Sequence, residues 1–206
     1  MRSLVIKAIL PFVLLMMTQV LWATPAAQQA QAVIKATIDQ VLKDPDKLND
    51  PVWVDQLVDQ VFDFQRMSKF VLGQNWKTSR VEQQEAFTKE FRTLLVRTYS
   101  TSLKKAIAAG VKFEVNYLQS AGDEKRPKIK TIVKQSDKEP IAVDYDMYSI
   151  KDAWRVYNVT VEGVSLVTNY QNEFETDIRN MGMDGLIKKL QTQNQQKSTP
   201  SPSTPK

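Results

Sequence analysis

Apolar positions in the first half of the chain recur every three or four residues. Ala30, Val33, Ile34, Ile38, Val41 and Leu42 share one helical face, which predicts an amphipathic helix over about 27–42, ended by Asp44, Pro45 and Asp46. Asp50 followed by Pro51 is a helix start, with Val54, Leu57, Val58 and Val61 facing inward. Met67, Phe70, Val71 and Leu72 predict a short helix closed by Gly73, after which Trp76 leads onward. Ser79 with Glu82 matches a capping box and opens the longest helix. Its stripe of Phe87, Phe91, Leu94, Leu95, Thr98, Leu103 and Ile107 runs to Gly110.

Beyond Gly110 the period becomes two. Phe113, Val115 and Tyr117 alternate with polar residues, as do Ile129, Thr131 and Val133 with Ile132 the exception, and then Val143, Tyr145 and Met147, after Ile141, against Asp144 and Asp146. The fourth strand starts at Trp154. Strict alternation places Trp154 and Val156 on one face and Tyr157, Val159 and Val161 on the other. Both faces would then be apolar, so helices or a bound apolar ligand are expected on both sides. Ala121-Gly122-Asp123, Ser136-Asp137 and Lys151-Asp152 read as turns, giving an antiparallel meander. Gly163 breaks the last strand. Val167, Tyr170, Phe174, Ile178 and Met181 predict a returning helix with Gly182 as a left-handed cap, and Asp184 is expected to cap a terminal helix carrying Leu186, Ile187 and Leu190. The fold class is α+β: amino-terminal helices packed on a curved four-stranded antiparallel meander, with a returning carboxy-terminal helix, a layout able to enclose an apolar cavity.

The chain ends change the picture. Arg2 and Lys7 precede an apolar run over 8–22, and small residues follow at Ala23, Ala26 and Ala27. That is the layout of a cleaved secretory signal over 1–23, and the run is shorter than the roughly 20 apolar residues that span a bilayer. Residues 24–190 form a single domain, and the Gln/Ser/Pro-rich stretch 191–206 is expected to be disordered. Export leaves disulfides possible, yet the chain has no cysteine, so packing must carry its stability. The net charge of +5 falls to +3 without Arg2 and Lys7, and to +1 without Lys197 and Lys206. A near-neutral body lacks the broad basic field that nucleic acid requires. The cluster Lys125, Arg126, Lys128, Lys130 and Lys134 reads as a solvated face or edge, with an anionic membrane surface a better partner than nucleic acid.

Catalytic chemistry is narrowly bounded. There is no histidine and no cysteine, which removes histidine bases, the common nucleophilic triads and the usual zinc sites, and no phosphate loop or dinucleotide fingerprint is present. Gly163-Val164-Ser165-Leu166-Val167 starts like a nucleophile elbow but lacks the second glycine, so Ser165 reads as a helix-start residue. Ser102 and Lys105 match a Ser-x-x-Lys spacing without its companion motifs. Asp144 and Asp146 bracket Tyr145 on one strand face; in an apolar cavity one of them could serve as an acid or base, and on a solvated face neither would.

The most specific run is Trp154-Arg155-Val156-Tyr157-Asn158-Val159-Thr160-Val161-Glu162-Gly163-Val164-Ser165-Leu166-Val167, continuing to Asn169-Tyr170, Phe174 and Asp184-Gly185-Leu186-Ile187. With Phe62-Asp63-Phe64, Met67-Ser68, Val71-Leu72-Gly73, Trp76 and the Phe87, Phe91, Leu94, Leu95, Tyr99 series, the chain resembles the periplasmic phospholipid-binding proteins of the Mla (maintenance of lipid asymmetry) pathway, also called the toluene-tolerance auxiliary family. Asn158 stands where an aspartate is common, and Gln171 where an arginine is common.

The resemblance implies a nuclear-transport-factor-2-like layout and a monomeric periplasmic carrier. Its cargo is phospholipid, with acyl chains inside and headgroup near solvent, and no cofactor or catalysis is implied. Its implied partners are an inner-membrane ABC transporter complex with an MCE-domain subunit and an outer-membrane lipoprotein complex. The candidate lipid-contacting wall is Phe113, Val115, Val143, Tyr145, Trp154 and Val156, facing Leu94, Leu95, Tyr99, Leu166 and Tyr170. Two other classes compete: a small periplasmic enzyme using Asp144 or Asp146, and a protein-binding module with an exposed apolar groove.

Overall fold

A computed structural model describes residues 25–136 and 138–195. The signal segment, Asp137 and the chain after 195 lie outside the described residues.

Among the described residues six helices accompany an antiparallel sheet. α1 (Pro25–Lys43) leads through a 3-10 turn at Pro45–Asn49 to α2 (Pro51–Val61), α3 (Phe64–Leu72), α4 (Gln74–Thr78) and α5 (Val81–Ala108). Asp50 starts α2 as its type and place dictate, its carboxylate accepting from Val52 and Trp53 N–H at 2.9 and 3.3 Å. Asp63 does the same for α3, accepting from Arg66 N–H at 2.8 Å. The start of α5 differs from the predicted capping box by one residue. The Ser79 hydroxyl donates to Asn75 O at 2.7 Å at the end of α4, so the reciprocal bond is made by Arg80 N–H to Gln83 Oε1, at 3.0 Å.

The strands are β1 (Phe113–Tyr117), β2 (Ala121–Asp123), β3 (Arg126–Gln135), β4 (Lys138–Ile150), β5 (Ala153–Val161) and β6 (Val164–Ser165). Their order is β1-β3-β4-β5-β6, with β2 also on β3. The four long strands form the predicted meander. The predicted turn at Ala121-Gly122-Asp123 is instead β2: Gly122, at φ 84°, lies so close to Arg126 O that a Cβ there would approach it to 2.4 Å. Lys151 and Asp152, at φ 49° and 62°, form the tight link between β4 and β5.

α6 (Leu166–Gln195) is two helices joined at Gly182, whose φ 73° and ψ 174° belong to a region open essentially to glycine alone. The predicted cap is thus a positive-φ break with extended ψ. A Cβ at Gly182 would meet nothing within 4 Å, so only backbone strain opposes substitution. Gly182→Ala is expected to cost about 1–3 kcal/mol, read as a lowered urea midpoint with an unchanged slope. Asp184 binds across to α5 instead of serving as the predicted cap, accepting from Gln83 Nε2 at 2.8 Å, and that bond lowers its carboxyl pKa. The helix also continues through the first five residues of the predicted tail, where Asn194 Nδ2 donates to Glu90 Oε2 at 2.8 Å and Glu90 O at 3.0 Å.

Two apolar clusters form. The helical one joins Phe64, Met67, Val71, Leu72, Phe87, Phe91, Leu95, Phe174, Leu186, Ile187 and Leu190 from α3, α5 and α6. Phe174 meets Phe87 and Phe91 edge-on, at centroid distances of 5.7 and 5.9 Å. The second joins Ala30 and Ile34 of α1 and Val61 of α2 to Ile129, Met147, Trp154, Val156 and Val159 of the sheet. Phe62 packs against both. Phe70, one of the apolar residues that predicted α3, is 44% exposed and lies over Tyr157 at 5.6 Å.

Candidate functional site

Directly opposed residues of neighbouring strands share a face, so register decides which side chains look the same way. Between β4 and β5 the pairs are Ser149 with Trp154, Met147 with Val156, Tyr145 with Val159 and Val143 with Val161. The register shifts between Asp146 and Met147 because Tyr157 is an extra residue on β5, a β-bulge that reverses the alternation. The expectation that Trp154 and Val156 oppose Val159 and Val161 is therefore overturned. All four share one face. The same face continues through Ile129, Thr131 and Val133 on β3 to Tyr117, Val115 and Phe113 on β1.

The other face is polar, so the strand is not apolar on both sides. Lys128 Nζ lies 2.6 Å from Asp146 Oδ1, and Asn158 Nδ2 donates to Asp146 Oδ2 at 2.8 Å. Asn158 Oδ1 accepts from Ser165 Oγ at 3.0 Å and Val167 N–H at 3.3 Å, tying the polar face to the start of α6. An aspartate in its place could not donate to Asp146. Asp144 pairs across the ladder with Lys130 and Thr160. Both candidate catalytic carboxylates therefore face away from the apolar side. Ser165 starts α6 as expected, its Oγ accepting from Thr168 N–H at 3.2 Å. Ser102 donates to Thr98 O at 2.9 Å within α5, an ordinary helical bond.

The apolar face is covered unevenly. At its Trp154 end α1 closes over it, and Ile129, Met147 and Val156 are fully buried. Toward the other end Val143, Tyr145 and Val161, with Leu166 from α6, are only partly buried. α5 makes its close contacts with α3, α6 and the 3-10 turn. Past Leu95, its apolar residues Val96, Leu103 and Ile107 keep partial exposure, and Tyr99 is 44% exposed. A band of incompletely packed apolar side chains thus lies beside each cluster.

The candidate wall residues divide along these lines. Val143, Tyr145 and Leu166 border the sheet cluster, while Leu94 and Tyr170 border the helical one, all partly buried. Leu95, at 5% exposure, belongs to the helical core, and Trp154 and Val156 belong to the sheet core. Phe113 and Val115 are half-buried on β1, outside both clusters. Sequence reasoning passed over Val159 and Val161. Strict alternation puts them on the opposite face, and only the pairing with β4 reveals the bulge that brings them round.

The phenols of this band are unusually weak acids. Burial pushes Tyr145 up to about 12, with the Tyr117 phenol adding to the shift and a hydrogen bond to Thr131 opposing it. Burial likewise raises Tyr99, and raises Tyr170 further, with Tyr99 and Glu173 contributing. The sign follows from an acid whose folded pKa exceeds its unfolded value near 10. Its contribution is complete below about pH 10 and is lost as pH rises to about 12, amounting to roughly 3 kcal/mol for Tyr145. Tyr145→Phe is expected to flatten the fall in unfolding free energy between those pH values, measured by denaturant titration. An equally steep fall in the variant would show that another group drives it.

The family model for the MlaC protein matches residues 25–192. This chain belongs to the MlaC family. It is 25% identical over 169 residues to the intermembrane phospholipid transport system binding protein MlaC of Haemophilus influenzae (strain ATCC 51907 / DSM 11121 / KW20 / Rd), covering 81% of this chain and 77% of that protein. The solved structure of a phospholipid-binding protein from Ralstonia solanacearum, in complex with a phospholipid, aligns with a TM-score of 0.68 and 30% identity, covering 80% of this chain and 96% of that one. The α+β layout and antiparallel sheet are thus those of an MlaC fold. Among the described residues of this MlaC-family chain, no helix is long and apolar enough to cross a membrane, and no group of three or more acidic residues is placed to hold a metal ion.

Proposed function

We propose that this protein is a periplasmic phospholipid carrier that holds acyl chains between the apolar sheet face and the α5–α6 pair, and passes lipid between outer- and inner-membrane transport complexes. The observation that carries the reading is the sheet face, made continuous by the Tyr157 bulge and left partly uncovered at Val143, Tyr145 and Val161. Such a surface offers acyl chains apolar contact without directional chemistry.

Energetics suit exchange. Each methylene withdrawn from water contributes about 0.8 kcal/mol, so two acyl chains involve roughly 20 kcal/mol or more, which a bilayer already supplies. The carrier therefore has only to match the bilayer. The MlaC family places the chain in a transport role, and Asp144 and Asp146, on the polar face, lack the apolar surroundings that would tune them for catalysis. The proposed partners are an inner-membrane ABC transporter complex with an MCE-domain subunit and an outer-membrane lipoprotein complex.

A transfer assay tests the function. With labelled phosphatidylethanolamine in donor vesicles separated from acceptors by a membrane that passes only protein, the purified protein is expected to carry label across in proportion to its concentration. No transfer above the protein-free rate, from a folded sample, would refute the carrier reading.

A further inference from the structure

A wide, open concavity lies at the end of the sheet opposite Val143. It has a volume of about 570 Å³ and is lined by Arg66 of α3, by Glu124, Lys125 and Arg126 at the link between β2 and β3, and by Tyr148, Ser149 and Trp154. Along β4, Ser149 is six residues from Val143, roughly 20 Å at the rise of a strand. The site is therefore separate from the proposed acyl hollow, and its assignment does not rest on the carrier reading.

Arg66 is held differently from the paired cations of the molecule. Arg92 is paired with Asp55 and Asp59, Lys128 with Asp146, and Lys189 with Asp177. Arg66, Lys125 and Arg126 have no carboxylate within 4.0 Å among the described residues. Aromatic rings position Arg66 instead, its Cζ lying 4.0 Å from the Tyr148 ring centroid, 5.2 Å from Tyr157 and 5.6 Å from Phe70. Stacking occupies the faces of the guanidinium and leaves hydrogen bonding to its edge.

The neighbouring acids are already engaged. Asp63 accepts from the Tyr148 hydroxyl and from Arg66 N–H, and Asp123 accepts from Lys125 and Arg126 N–H at 2.9 and 2.7 Å, which fixes the turn. Glu124 is the one acid in the lining, against three cations. The excess of positive charge is built into a concave surface.

We propose that this cavity is a phosphate-binding site, with Arg66, Lys125 and Arg126 as its cationic contacts, taking a phospholipid headgroup or free phosphate. A tetrahedral oxyanion presents oxygens in several directions, which suits cations arriving from α3 and from the β2–β3 link; a lone carboxylate needs only one fork. The volume exceeds that of inorganic phosphate, leaving room along Trp154 and Tyr148 for the organic part of an ester. A flat bilayer cannot enter a concavity, so a membrane would be read one headgroup at a time.

Trp154 lines the cavity and reports on it. The Trp154 indole N–H resonance of the full mature protein would be followed in NMR titrations with sodium phosphate, with glycerophosphoglycerol, and with sodium chloride at matched ionic strength. A saturable shift with the phosphates and none with chloride is expected. Arg66→Gln and Lys125→Gln should each weaken binding by about tenfold or more, the loss of a charge-assisted contact. Lys125 is exposed on a turn, so its variant tests the site even if Arg66→Gln unfolds. Tighter binding of glycerophosphoglycerol assigns the site to a lipid headgroup, and tighter binding of inorganic phosphate to the free ion. Absence of a saturable shift, an equal response to chloride, or wild-type affinity in a folded Lys125→Gln protein would overturn the proposal.

Discussion

Val143→Asp is expected to empty the protein of phospholipid while leaving it folded. Val143 lies between Thr131 and Val161 on the apolar face, beside Tyr145, and is only partly buried. In the lipid-free protein a carboxylate there keeps some contact with water, so the fold tolerates it. An acyl chain against it would strip that water and leave a charge facing hydrocarbon, a penalty of several kcal/mol even after relaxation. Since about 1.4 kcal/mol is a tenfold change, retention should fall by about a hundredfold or more. The checks are lipid phosphorus per protein after detergent-free purification, with far-ultraviolet circular dichroism and a melting curve as controls. A folded variant carrying wild-type lipid would move the acyl hollow away from β4.

The same change at Val156, next to the bulge residue, should have the opposite character. Val156 is fully buried among Ile129, Met147, Val159 and Val61, and its carbonyl accepts from Asp63 N–H at 2.9 Å, joining the sheet to the α2–α3 link. Sequence alone placed it in the lipid wall. The structure places it in the packed sheet core, so Val156→Asp buries an unpaired carboxylate with no route to water. The expected cost is about 3–5 kcal/mol or more, out of a typical total of about 5–15 kcal/mol. The variant should accumulate poorly and lose cooperative unfolding in denaturant titration. A stable Val156→Asp protein that has lost only its lipid would show that the hollow extends to β5 beneath α1.

Local chemistry was legible where one residue type decides an element. Asp50-Pro51, Gly73 and Ser165 fixed helix boundaries through side-chain acceptors, fixed dihedrals or positive φ, and the period-two stretches located the four long strands, whereas the cap made by Asp63 emerged only in the structure. The reading broke where geometry depends on a partner. A bulge is a relation between two strands, so nothing in β5 alone forces Tyr157 out of register; the error reversed Val159 and Val161 and made a one-sided strand look two-sided. The slip from Ser79 to Arg80 arose because Ser79 is engaged at the end of α4. Arg66 and Arg126 are 60 residues apart in sequence, and no spacing rule brings them into one cavity. The wall split for a similar reason: Leu94 and Leu95 are adjacent on α5, yet only Leu95 turns fully into the helical core.

The partly covered apolar residues beside the two cores give the central claim a direct test. The protein, expressed from its full sequence, would be purified without detergent, extracted with organic solvent, and the extract analysed by mass spectrometry against protein quantity. Stoichiometric phospholipid in the extract, lost in folded Val143→Asp, is the predicted result. A folded wild-type protein that comes out free of lipid and takes none up from vesicles would contradict the account.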